Sequence, residues 1–223
     1  MRWWMAILIA VLAPGAAAQG IEAVLERSQL VRLAGRPAAD PRSDAAQRVR
    51  LSMARLLALP AAGHEPVELV LVGGGLFAEA LLDRPAIAAS EELGHLPEGQ
   101  RLLMLAHELG HVRLAHAQSL KALYRAHVPG AVVPEATDPV AGKLGAEGRT
   151  LSHSNELAAD AFGFLLVRDL GVGIDDAMGL LTRQGPQRDS ITHPGTARRL
   201  AQLRELHLHA ENGVPLRSAL AFD

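Results

Sequence analysis

Residues 102–111 read LLMLAHELGH, and this stretch decides the fold because its apolar residues form a nearly continuous helix that carries two histidines. His107 and His111 are four residues apart, so both imidazoles lie on one helix face and can reach one ion. Glu108 is rotated by roughly 100° from His107, which places its carboxylate beside such an ion. The alternative is a helix with two surface histidines. The apolar residues 102–106 argue against it, because bare imidazoles on a buried helix would need partners.

Two histidines with an adjacent carboxylate are typical of a hydrolytic zinc site, which also needs a third ligand and an open position. In the pattern HExxHxxGxxH a third histidine supplies that ligand. Here Leu114 and Ala117 stand at its glycine and histidine positions. His116 comes one residue early and, on a continuous helix, is expected to face away from His111. This route to a third ligand therefore fails.

The other route is a glutamate from a second helix. Residues 154–160 read SNELAAD, which places Glu156 and Asp160 four apart on one face. Glu156 can ligate zinc, while Asp160 can accept the far N–H of a ligating histidine and fix its tautomer. Alone, the segment is equally typical of an ordinary helix start with Ser154 as N-cap. Beside the HExxH motif, we favour the ligand interpretation.

A third element is the segment SITHP at residues 190–194, which is followed by Arg198 and Arg199. His193 lies outside the predicted metal ligands and can donate a hydrogen bond to the oxyanion of a tetrahedral intermediate. A His-Pro pair before a helix is also an ordinary turn, so this element gains weight only from the other two.

Taken in order, HELGH at 107–111, NELAAD at 155–160 and THP at 192–194 with Arg199 resemble the gluzincin peptidases related to the CAAX prenyl protease, the heat-shock membrane protease HtpX and the mitochondrial overlapping-activity protease. The resemblance covers roughly residues 67–203. It implies an α+β fold, a mainly helical zincin-like metallopeptidase domain with a small β-sheet beside the active-site helix. It implies one Zn²⁺ per chain and these roles: His107, His111 and Glu156 as metal ligands, Glu108 as general base, His193 as transition-state stabiliser, and Asp160 and Arg199 as supports of the ligands.

The resemblance also implies that residues 85–90 form the edge strand beside the cleft, to which an extended substrate adds as another strand. Relatives usually have an Asn-Ala pair upstream of that strand. Here residues 77–85 read FAEALLDRP, with Glu79 and Ala80 at the position of the pair. The transmembrane helices of the best-known relatives are not found, so intramembrane or prenylated substrates are not expected.

The rest of the chain is expected to be organised around these motifs. Residues 77–82 are predicted to form a short helix or turn, and residues 127–148 an irregular loop that is either a lid over the cleft or a surface insertion. Helices are predicted at 21–33, 44–59, 98–124, 154–170, 175–183 and 196–206, and strands at 66–72 and 85–90. The predicted divisions are a signal peptide (1–18), an N-terminal helical segment (19–62) and a zinc metallopeptidase domain (63–223). Histidines 64, 95, 127, 153, 207 and 209 are expected to face solvent, and a place at the rim of the site is the alternative for His153, which is close to Glu156 in sequence.

The N-terminus has the layout of a secretory signal peptide. Arg2 precedes an apolar run at 3–12, and the small residues 16–18 offer a cleavage site after Ala18. The alternative is a membrane anchor, but the run is shorter than the ~20 residues that span a bilayer. The sequence therefore predicts export to the periplasm or secretion, with no transmembrane segment in the mature chain.

Composition excludes several classes of function. The 223 residues are 49% hydrophobic and carry a formal net charge of −2, which does not resemble the basic surface of a nucleic-acid binder. Without cysteine there are no disulfides or thiolate ligands. We expect a zinc metalloendopeptidase that acts on proteins or peptides, including unfolded or envelope proteins, through a metal-activated water. The alternatives are a non-proteolytic, metal-stabilised binding or chaperone-like module, against which Glu108 counts, and a zinc amidase that acts on cell-wall peptides.

Overall fold

The computed structural model describes residues 19–183 and 185–212, so the predicted signal peptide at 1–18 lies outside the described residues. The described chain is mainly helical with a small sheet, which confirms the predicted α+β class. The helices are α1 (Ile21–Ala34), α2 (Asp44–Leu57), α3 (Glu98–Arg113), α4 (His116–His127), α5 (Pro134–Thr137), α6 (Ala141–Arg168), α7 (Ile174–Thr182) and α8 (Thr196–Glu211). The strands are β1 (Glu68–Val72), β2 (Ala78–Ala80) and β3 (Ala86–Ser90).

The three strands lie in the order β1-β3-β2, with β1 parallel and β2 antiparallel to β3. All five residues of β3 are buried, as expected of a strand with a neighbour on each side. The prediction that residues 85–90 form the edge strand is therefore wrong, because the edge on the side of α3 is β2. The prediction of a helix or turn at 77–82 is wrong as well. The segment is rich in helix-favouring Ala, Glu and Leu, and pairing with β3 overrides that local preference.

Helices α3 and α6 cross at the centre of the molecule, and their backbones come unusually close. A Cβ on Gly163 would lie 2.8 Å from the backbone nitrogen of His107, and one on Gly110 would lie 3.1 Å from Cα of Ala159. Glycine at both positions permits this approach. The crossing brings the HELGH segment of α3 directly against the ELAAD segment of α6.

The larger of two apolar clusters among the described residues surrounds this crossing. It includes Leu105 and Leu109 from α3 and Phe164 from α6, all fully buried. Helix α2 adds Val49 and Leu56 to the same cluster. The boundary between residues 62 and 63 stays a prediction. No helix within 19–183 and 185–212 has the length and apolarity needed to cross a membrane.

The predicted long helix at 98–124 is in fact two helices. α3 ends at Arg113, and α4 begins at His116. Between them Ala115 has φ 56°, in the left-handed region, which a residue with a Cβ adopts at a cost. This residue turns the chain and brings His116 back toward the end of α3.

The predicted loop at 127–148 is largely helical. α5 covers Pro134–Thr137, and α6 begins at Ala141 and runs for 28 residues. Ser154 is therefore an interior residue of α6, and its interpretation as an N-cap is wrong. The glycines at 142, 145 and 148 weaken the local helix preference, which conceals the first half of α6 in the sequence.

Candidate active site

Three side chains from the crossing of α3 and α6 converge on one point. His107 and His111 come from α3, and Glu156 comes from α6. The two Nε2 atoms are 3.1 Å apart. His107 Nε2 lies 3.5 Å from Glu156 Oε2, and His111 Nε2 lies 3.3 Å from Glu156 Oε1. The structure thus brings together the three residues that the sequence predicted as metal ligands, which we call the triad.

The donor set and spacing of the triad fit a zinc ion. Two imidazole nitrogens and a carboxylate are common zinc ligands, and bonds of about 2.05 Å in a tetrahedron place ligand atoms about 3.3 Å apart. The three separations of 3.1–3.5 Å agree with that value. Glu156 Oε2 is buried and has no hydrogen-bond partner among the described residues. A buried carboxylate oxygen left in this way needs a cation or donor at the centre of the triad.

Asp160 and Arg199 hold His107 from behind. Asp160 Oδ1 accepts the Nδ1–H of His107 at 2.9 Å, which leaves Nε2 directed into the triad. Arg199 donates two hydrogen bonds of 2.6 Å to the same carboxylate. Burial alone would raise the pKa of Asp160, but the bonds from Arg199 and His107 hold it below its ordinary value. The carboxylate therefore stays ionised and fixes the His107 tautomer.

Asp160 also influences the charge of His107. Burial alone would lower the pKa of His107, but the hydrogen bond to Asp160 and the nearby Glu156 carboxylate outweigh it and raise the pKa to about 10. Burial alone would raise the pKa of Glu156, yet the close His107 and His111 rings hold it well below its ordinary value. Opposite charges therefore stabilise one another where α3 and α6 meet.

His116 supports the second histidine, which the sequence did not predict. It is 8% exposed, and its Nδ1 lies 2.9 Å from Nδ1 of His111. Burial and the neighbouring histidines lower the pKa of His116 to about 4, so it is neutral at pH 7 and can accept the Nδ1–H of His111. The expectation that His116 faces away from His111 is wrong, because the left-handed Ala115 ends the helix between them.

Glu108 lies beside the triad and is tethered to the sheet. Its side chain is buried, and Oε2 accepts the backbone N–H of Ala80 in β2 at 2.8 Å. A carboxylate held through one oxygen keeps the other for proton transfer.

His193 approaches the triad from the loop before α8. Its Nε2 lies 3.6 Å from Glu156 Oε1, and its Nδ1 lies 2.7 Å from Thr192 Oγ1. The loop is fastened to α6 by His153, whose Nε2–H donates to the carbonyl of Ser190 at 2.9 Å. His153 is buried, so the expectation that it faces solvent is wrong, whereas His64 and His95 are exposed as expected.

The sequence model described as Peptidase family M48 matches residues 61–207, about two thirds of the chain. The chain belongs to peptidase family M48. This family membership makes the protein a metallopeptidase, and it confirms the resemblance drawn from HELGH, NELAAD and THP. Comparisons with curated proteins and with solved structures gave no match.

Two features of this M48 peptidase's site were missed from sequence. His116 depends on the turn at Ala115, for which the sequence carries no glycine or asparagine signal. His153 lies one turn before Glu156 on α6, and that spacing alone places the two on neighbouring faces. Only its closeness to Glu156 in sequence pointed to a place at the rim of the site, and the bond to the loop of His193 was not predicted.

Proposed function

We propose that this M48 peptidase is a zinc-dependent endopeptidase that hydrolyses peptide bonds of protein substrates in the cell envelope. The observation that carries the proposal is the triad itself, whose separations of 3.1–3.5 Å suit zinc and which has a tethered carboxylate beside it. A purely structural metal site has no use for a base at the position of Glu108.

Zinc would be held by His107, His111 and Glu156. When bound, it supplies Lewis acidity, which polarises a carbonyl and acidifies water. The support of His107 by Asp160, and of His111 by His116, orients both ligating nitrogens before any ion arrives.

The residues around the triad supply the proton transfers. Glu108 takes a proton from the attacking water as the water oxygen bonds to the peptide carbonyl carbon. Glu108 then delivers that proton to the leaving amine as the C–N bond breaks. His193 donates a hydrogen bond to the carbonyl oxygen as that oxygen becomes negative. The tether from Ala80 keeps Glu108 on the side of the cleft that faces the sheet.

The edge of β2 supports an extended protein segment as substrate. An extended peptide can add to an exposed strand edge through main-chain hydrogen bonds, and β2 ends at the residue that touches Glu108. An added strand is held by its backbone and needs no free terminus, which supports cleavage within a chain. The predicted signal peptide at 1–18 supports the envelope as the place of action.

The test compares residues 19–223 with the Glu108→Gln variant, which keeps size and hydrogen bonding but removes the base. We expect internal cuts in casein by the parent, mapped by mass spectrometry, and none by the variant. Cleavage of peptidoglycan fragments but not of casein would replace the proposal with a zinc amidase. Zinc binding without hydrolysis of either substrate would indicate a binding module instead.

A further inference from the structure

The outer edge of β2 is the part of the sheet nearest Glu108, and its hydrogen-bonding pattern can be read from its neighbours. Phe77 and Leu81 each form a 2.8 Å backbone hydrogen bond with β3. Because bonding alternates along an antiparallel pair, Ala78 and Ala80 direct their N–H and C=O groups away from β3. The Ala80 N–H already bonds Glu108, so an added substrate strand would use the groups of Ala78 and the C=O of Ala80.

Part of this edge is already occupied by a side chain of α1. Gln29 Nε2 donates to the carbonyl of Ala80 at 3.0 Å, and Gln29 Oε1 accepts the N–H of Leu82 at 2.8 Å. In a parallel pair of strands, a residue donates its N–H to a C=O of the neighbouring strand. Its own C=O accepts the N–H that lies two residues further along that neighbouring strand. The amide of Gln29 therefore stands in for one residue of an added strand.

Gln29 is held firmly in this position. It is 2% exposed, and Nε2 also donates to Glu79 Oε1 at 2.7 Å. Arg32, one turn along α1, pairs with the same Glu79 oxygen at 2.7 Å, and Leu33 packs on the apolar cluster that contains Leu81. On its other side α1 is joined to α4 by the pairs Lys121–Glu26 and Arg125–Glu22.

We propose that Gln29 determines substrate specificity by closing the edge of β2 on the Leu82 side of the cleft. The inference rests on the proposed peptidase function and deepens it. A substrate strand pairs freely with β2 at Ala78, up to the scissile bond beside Glu108. On the other side of that bond it must displace the amide of Gln29 before it can pair. The cleft thus favours substrates whose backbone needs pairing on one side of the scissile bond only.

The test measures binding rather than turnover. The zinc-loaded Glu108→Gln protein, residues 19–223, is titrated with a fluorescent, extended casein peptide and with versions shortened from either end. Gln29→Ala is added to this background, and Ser28→Ala, an exposed neighbour on α1, serves as the matched control. Gln29→Met keeps most of the volume without the amide and guards against poor folding, which thermal unfolding and zinc content monitor.

We expect Gln29→Ala to bind the full peptide on the order of tenfold more tightly, because the substrate no longer competes with two hydrogen bonds. Gln29→Met changes affinity in the same direction, and Ser28→Ala leaves it unchanged. The gain in peptide affinity of Gln29→Ala must vanish when the peptide is shortened from one end. It must persist when the peptide is shortened from the other end.

An equal gain for every peptide, no gain in folded Gln29 variants, or no binding to any variant overturns the inference. Failure of the proposed function is distinct, since it appears as the absence of casein cleavage by the parent with Glu108 intact.

Discussion

Replacing Arg199 by leucine tests whether the site is built on a buried ion pair. Arg199 is 18% and Asp160 is 6% exposed at the side chain, and two 2.6 Å hydrogen bonds join them. Removing one partner of a buried pair costs about 3–5 kcal/mol, and Asp160 would keep only the hydrogen bond from His107. We therefore expect Arg199→Leu to lower the free energy of unfolding of the metal-free protein by about 3–5 kcal/mol.

The assay is urea denaturation of the metal-free protein, with a double-mutant cycle to isolate the pair. Adding Asp160→Asn to Arg199→Leu removes the stranded charge, so the double variant should recover at least about 2 kcal/mol of the loss. Arg198→Leu, at the exposed neighbouring position, should change stability by less than about 0.5 kcal/mol. A loss of stability no greater in Arg199→Leu than in Arg198→Leu, or additive effects in the cycle, would show that the Arg199–Asp160 pair does not stabilise the protein.

Two further predictions concern the helix crossing and the second histidine. Gly163→Ala should lower the free energy of unfolding by about 1–3 kcal/mol, because its Cβ would meet the backbone of His107. Gly145→Ala, in open space on the same helix, should raise the free energy of unfolding by about 0.5–1 kcal/mol. An increase in stability for both variants in urea denaturation would contradict the close crossing. His116→Phe should weaken zinc binding by about 10–100-fold, and excess zinc should restore activity. The same change at the exposed His95 should leave zinc affinity unchanged. Equal zinc affinities of the two variants, measured by competition with a chelator, would show that His116 does not support the triad.

The triad could be predicted from sequence because it depends on local geometry. The spacing of four residues in HELGH and in ELAAD fixes which side chains share a helix face, whatever the rest of the chain does. Only the meeting of the two helices is a long-range event, and the structure achieves it through Gly110 and Gly163. The α+β class was implied by the family resemblance, and the helices and strands predicted from their periodicities agree with it.

The errors lie where distant contacts override local preference. β2 forms because β3 offers a partner, although its Ala and Glu residues favour a helix. His116 reaches His111 only because Ala115 adopts a left-handed conformation, which no propensity of alanine predicts. The role of Gln29 was equally hidden, since it depends on the packing of α1 against a strand some 50 residues away in sequence.

Bound zinc and casein hydrolysis should be measured together in residues 19–223, Glu108→Gln and Glu156→Ala. We expect one zinc per chain in the parent and in Glu108→Gln, loss of tightly bound zinc in Glu156→Ala, and hydrolysis by the parent alone. Zinc retained at full affinity in Glu156→Ala, or hydrolysis that persists in Glu108→Gln, would contradict the central claim that this triad and its neighbouring carboxylate form the catalytic centre.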